Sequence, residues 1–130
     1  MANESMLPSE IDSGEFLYRG VLENQWDQQK NRPSSAAYKD SCGVSVNRDA
    51  LIRDLQSSIN ALLGIKPFKA VCRVMERKVR ESGALTKYLP VPENVYHCEI
   101  HDSEEKISLS ASKARKVRDS SEVVYLASID

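Results

Sequence analysis

Two short stretches of this chain carry side chains that can do chemistry at a usable spacing. The first is Arg32-Pro33-Ser34-Ser35. A proline holds the residue before it extended, so the Arg32 guanidinium leaves the backbone in a defined direction. Beside it, the hydroxyls and N–H groups of Ser34 and Ser35 are donors of the kind that hold a phosphate or carboxylate. The competing structural reading has a serine cap the following Ala36-Ala37-Tyr38 turn while Arg32 pairs with a local acid. The second stretch is Val95-Tyr96-His97-Cys98-Glu99-Ile100. Strand alternation puts His97 and Glu99 on one face and sends Tyr96, Cys98 and Ile100 to the other. A histidine with a neighbouring carboxylate is a candidate acid, base or ligand. Its plainer reading is a half-buried, hydrogen-bonded strand residue. Alternation also separates His97 from Cys98, which removes that pair as a thiol–imidazole catalyst. His101 falls in a charged turn, where it is expected to be exposed and to diverge from His97, so no metal site is expected. No Gly-x-Gly phosphate loop occurs, and no cofactor is implied.

A wider pattern links three strand-like segments. Arg19 lies in LYRG, Ser45 in GVSV and Glu99 in HCEI. That order resembles the Arg–Ser–Glu set of ADP-ribosyltransferases, in which arginine and serine hold NAD and the glutamate stabilises the developing oxocarbenium charge. The chain departs from that family by having one serine where a Ser-Thr-Ser stretch is usual, and His97 where a Glu or Gln precedes the glutamate. A second resemblance rests on RPSSAAYKD, the VSV strand and PENVYHCEI. Together they resemble a group of small bacterial proteins that share an RPSSAAF-like motif and a later proline-led Asn-x-x-His-x-x-Ile segment. This likeness implies a bacterial origin and one domain, picks out Arg32, Ser34, Ser35 and His97, and brings no reaction with it.

The elements that must position these groups are legible in part. Residues 1–14 are a polar lead-in, and a single domain is expected over 15–130. EFLYRGV is a short strand that Gly20 interrupts. The stretch from Leu22 to Ala37 has no clean period and reads as a long loop pinned by Trp26. CGVSVN is a second strand. Asn47 then caps the clearest helix, expected over 48–63, whose stripe is Leu51, Ile52, Leu55, Ile59, Leu62 and Leu63. Gly64 and Pro67 end it. FKAVCRVM alternates as a strand to about Met75, followed by a helical turn or two that stops at Gly83. A third strand spans Val95 to Ile100, a short basic helix follows Ser110 or Ser112, and EVVYLAS is the last strand. This pattern predicts an α+β fold, with a small mixed or antiparallel sheet packed against one main amphipathic helix.

Composition bounds the function. The 130 residues are 41% hydrophobic and 28% charged, which suits a soluble globular domain. No apolar run approaches the roughly 20 residues a membrane span needs. The N-terminus lacks the basic start and apolar run of a secretory signal, and the three cysteines form no close pair, so a cytoplasmic protein is expected. The net charge is −1 but unevenly spread. Residues 66–80 hold six bases against Glu76 and are a candidate contact surface for a protein partner. A dedicated nucleic-acid binder is disfavoured by the sequence pI near 6.1. Two readings follow. The first is a binding or interaction module whose Arg/Ser/His pocket takes an anionic ligand or an acidic partner segment. The second is a small enzyme using the same pocket, with His97 as acid or base and Arg32 as clamp, or with a divergent NAD site.

Overall fold

A computed structural model of the chain describes residues 8–49 and 54–128. Among these residues the frame is a six-stranded antiparallel sheet, with three α-helices and a two-stranded ribbon. The strands are β1 (Phe16–Val21), β2 (Trp26–Asp27), β3 (Arg32–Pro33), β4 (Val44–Arg48), β5 (Ala70–Met75), β6 (Leu85–Tyr88), β7 (His97–His101) and β8 (Glu122–Leu126). The helices are α1 (Leu55–Leu63), α2 (Glu76–Glu81) and α3 (Ala111–Ser120). The large sheet runs β6-β7-β4-β1-β5-β8, and β2 with β3 makes the ribbon.

The fold is α+β, but one helix does not build the core. Alternation gives the sheet two faces, each with its own cluster. Leu17, Val21, Val44, Val46, Cys72, Val74, Cys98 and Ile100 meet Val79 of α2 and Ala114 and Val117 of α3 on one face. Tyr18 and Val71 meet Ile59 and Leu62 of α1 on the other, with Phe16 and Phe68 packed alongside. Gly20 does not break β1. A Cβ there would lie 2.3 Å from the Phe68 ring, so the missing side chain is what lets that ring lie against the strand.

Helix α1 starts later than its apolar stripe predicts. Its N-cap is Asp54, which accepts from the Ser57 N–H at 3.1 Å, whereas Asn47 and Arg48 belong to β4. Leu51 and Ile52 lie outside the described residues. Leu55 is 40% exposed, so the buried stripe here is Ser58, Ile59 and Leu62. A buried ion pair holds the end of β4. Arg48, 1% exposed, donates to both carboxylate oxygens of Glu15, at 2.9 and 3.0 Å. The strand expected from Val95 begins at His97, because Val95 and Tyr96 belong to a turn. Elsewhere β5 ends at Met75 and gives way to α2, and Ser110 caps α3 through the Lys113 N–H. Asp102 secures that cap, accepting from the Ser110 N–H at 2.9 Å. That bond holds its carboxyl below the ordinary carboxylate range, with Lys113 adding to the effect. Trp26 is buried, but the loop it pins contains the ribbon, in which it pairs with Pro33. No helix among the described residues is long and apolar enough to cross a membrane.

Candidate functional site

The RPSSAAY stretch folds as a tie. Arg32 pairs with Asp27 across the ribbon, and its buried Nε has no hydrogen-bond partner. The N–H and Oγ of Ser34 both donate to the Gln25 carbonyl, at 2.8 and 3.1 Å. Ser35 begins a 3-10 turn, Ser35–Tyr38, which buries Ala37 and Tyr38 in the larger core. Arg32, Ser34 and Ser35 therefore do not line the cleft that holds His97.

That cleft forms where the sheet opens. Strands β1 and β4 pair only at Leu17 with Arg48 and Tyr18 with Asn47. Beyond Tyr18, the Arg19 side chain takes up the work of the ladder. Its Nη1 donates to the Ser45 carbonyl at 2.8 Å and its Nε to the Ala37 carbonyl at 2.9 Å. Both partners are neutral, and no carboxylate lies within salt-bridge distance of this guanidinium among the described residues. Burial lowers the Arg19 pKa, with Tyr38 and Asp40 opposing the shift. An arginine nevertheless keeps its proton at any ordinary pH. The result is a fixed, buried positive charge at the opening between β1 and β4, on the sheet face of Leu17 and Val21. Arg19 is among the residues lining a cleft of about 450 Å³ at that opening.

Ser45, Asn47 and His97 join Arg19 there, with Lys66, Asn94, Asp40 and Glu93 also lining the cleft and Leu62, Ile65 and Phe68 forming an apolar wall. Asn47, expected as a helix cap, instead accepts from Asn94 Nδ2 at 2.7 Å. The β4–β7 register sets Asn47 opposite His97 and Ser45 opposite Glu99, so all four share one face. On that face His97 Nε2 lies 3.2 Å from Ser45 Oγ, and Nδ1 lies 2.8 Å from the Leu89 carbonyl oxygen.

His101 departs from expectation. It is the last residue of β7, only 13% exposed, with Nε2 at 2.9 Å from Glu99 Oε1. His97 and His101 thus flank Glu99 on one face, because the strand includes His101 and the chain bends only from Asp102 onward. Gly43, with φ of 99°, closes the other side of that carboxylate. A Cβ there would come within 2.5 Å of Glu99 Oε1. Among the described residues no group of three or more His, Cys, Asp or Glu could hold a metal ion.

Arg19, Ser45 and Glu99, the set that resembles the ADP-ribosyltransferase triad, stand on the adjacent strands β1, β4 and β7. Arg19 and Ser45 meet through the Ser45 carbonyl, while Glu99 turns to His101. The basic 66–80 segment is dispersed. Lys66 lines the cleft, Arg73 pairs with Glu122 at 2.7 Å, Lys78 with Glu81 and Arg80 with Glu76. Sequence reading missed Lys66, Asn94 and the Leu89 carbonyl as site groups. Asn94 had a signal in its place in the PENVYHCEI motif, and Lys66 had one in the basic 66–80 segment. The Leu89 carbonyl reaches the site only through tertiary packing. No family model, curated protein or solved structure matches this chain.

Proposed function

We propose that this protein is a small binding module whose β1–β4 cleft takes an anionic small molecule. The observation that carries this reading is Arg19, a buried guanidinium whose hydrogen bonds go to carbonyls rather than to an acid. A buried charge is costly unless something compensates it, and a ligand carboxylate or phosphate supplies that compensation. Lys66 adds a second cation, and the hydroxyl of Ser45 and the carboxamide of Asn94 add neutral hydrogen-bonding groups. The wall of Leu62, Ile65 and Phe68 suits a ring or aliphatic body, and Asp40 and Glu93 suit ligand donors at the far end. This differs from the expected pocket in its arginine, Arg19 in place of Arg32. The anionic pocket is favoured over a divergent NAD site because Glu99 is committed to His101.

Titrating ¹⁵N-labelled protein with phenyl phosphate, beside the uncharged benzyl alcohol, tests the reading. Phenyl phosphate is expected to shift the amide signals of Gly20, Ser45, Asn47 and Asn94. Lys66→Glu is expected to weaken its binding by about tenfold, the worth of one charge-assisted contact. Equal affinity for the two probes, or no shift at the cleft, would overturn the anionic reading.

A further inference from the structure

We infer that Ser45 is a nucleophile activated by His97, and that the cleft hydrolyses small carboxylic esters. The inference rests on the binding reading only for the anionic character of the substrate. The nucleophile itself stands on one exposed position and two contacts. Ser45 is the exposed residue of a strand whose other residues are all buried, and its hydroxyl faces the cleft. Its Oγ lies 3.2 Å from His97 Nε2, and His97 Nδ1 lies 2.8 Å from the Leu89 carbonyl oxygen. A carbonyl oxygen only accepts, so Nδ1 carries the hydrogen. In the neutral ring Nε2 then holds the free lone pair, and it faces the Ser45 O–H. Nucleophile, base and orienting acceptor are thus linked in succession through the two ring nitrogens, which is the relation that serine–histidine catalysis requires.

An ordinary surface Ser–His hydrogen bond lacks the rest of the arrangement. The orienting carbonyl is fixed, because the Leu89 N–H donates to the His97 carbonyl at 3.1 Å. Glu99 Oε2 lies 3.8 Å from Nε2, near enough to stabilise an imidazolium. Glu99 is in turn held by His101 and backed by Gly43. Glu99 and Leu89 are positioning residues, and Ser45 and His97 are the catalytic ones. Both stand on paired strands, which hold such a geometry better than loops do.

In the reaction, Ser45 Oγ attacks the ester carbonyl carbon and its proton passes to His97 Nε2. The tetrahedral oxyanion forms in a cleft that Lys66 lines, with the buried Arg19 charge beneath the β4 backbone at Ser45. The C–O bond to the alcohol then breaks, and the leaving oxygen takes the proton from Nε2. Water attacks the acyl-serine and gives a proton to Nε2, that proton returns to Ser45 Oγ as the carboxylic acid departs, and the acid then loses its remaining proton to solvent. Atoms and charge balance with water as the only co-reactant.

The test uses the full chain and an uncharged alkyl fluorophosphonate, which bonds to an activated serine oxygen as fluoride leaves. Intact mass and peptide mapping are expected to show one adduct, on Ser45, and none in Ser45→Ala. His97→Gln is expected to slow labelling at least about a hundredfold, the usual share of a general base. The inference fails if the parent protein takes no adduct, or if Ser45 is labelled equally fast in His97→Gln. Parent protein labelling needs no variant to fold, so the first outcome is decisive alone. Phenyl phosphate binding without labelling would remove the nucleophile and leave the binding reading. Labelling without phenyl phosphate binding would do the reverse.

Discussion

At the scale of single residues, the same side-chain type meets very different surroundings. Cys42 is exposed, whereas Cys72 and Cys98 are buried in the sheet. Burial pushes both of those thiols up to about 12, against the opposing pull of Arg19 on Cys72 and of Arg48 on Cys98. Only a thiolate reacts readily with alkylating reagents, so a thiol held protonated and out of solvent is inert. Native protein at mildly alkaline pH is therefore expected to take up iodoacetamide at Cys42 alone, and at all three cysteines after unfolding. Mass spectrometry of the two samples checks this. Rapid native labelling of Cys98 would show that β7 does not stay against α3 and its core. The candidate site was partly legible at this scale. His97, Ser45, Arg19 and Glu99 each stand out by type and strand position. Arg32 also stands out, but its proline serves the ribbon, because Pro33 packs opposite Trp26.

At the scale of elements, period located the helices and strands better than it located their ends. The stripe through Leu55, Ile59 and Leu62 is real in spacing, yet only its later half reaches the sheet. Truncating Ile59 or Leu62 to alanine is expected to cost about 2–5 kcal/mol, as for other buried aliphatic side chains. Leu55→Ala is expected to stay within about 0.5 kcal/mol, as for an exposed position. Urea unfolding of the three variants separates the alternatives. A large loss at Leu55 would mean that α1 sits rotated toward its N-terminal turn. The reason the start was misread is physical. Asn47 is a good cap by type, but its side chain is taken by Asn94 and its backbone by the β4 ladder.

At the scale of the whole molecule, one buried ion pair ties distant parts together. Glu15 precedes β1, and Arg48 ends β4. The guanidinium also donates to the carbonyls of Pro8 and Glu10 and lies over the Tyr88 ring of β6 at 4.5 Å. Burial works against the Arg48 charge, but the paired hydrogen bonds to Glu15 outweigh it and hold the guanidinium above its ordinary pKa. Removing either partner leaves the other charge buried alone. Arg48→Ala or Glu15→Ala is expected to cost about 3–5 kcal/mol in urea unfolding. The double variant Arg48→Met, Glu15→Leu is expected to recover much of that loss. If either single variant is neutral, water reaches the pair and the lead-in residues do not depend on it.

The sequence by itself determined the α+β class, most strands, the glycine stop after α2, a serine cap for α3, and which residues share a strand face. These follow from local rules: alternation, the 3.6-residue period, and the turn chemistry of glycine, proline and serine. Only the tertiary structure decided that β1 parts from β4 beyond Tyr18 and that Arg19 bridges the opening. It also decided that Leu89 presents its carbonyl to His97. Such contacts depend on which strands become neighbours and in what register, a matter of side chains far apart in the chain competing for one core. That is why Arg19, Ser45 and His97 were visible one at a time, and as one site only in the folded sheet.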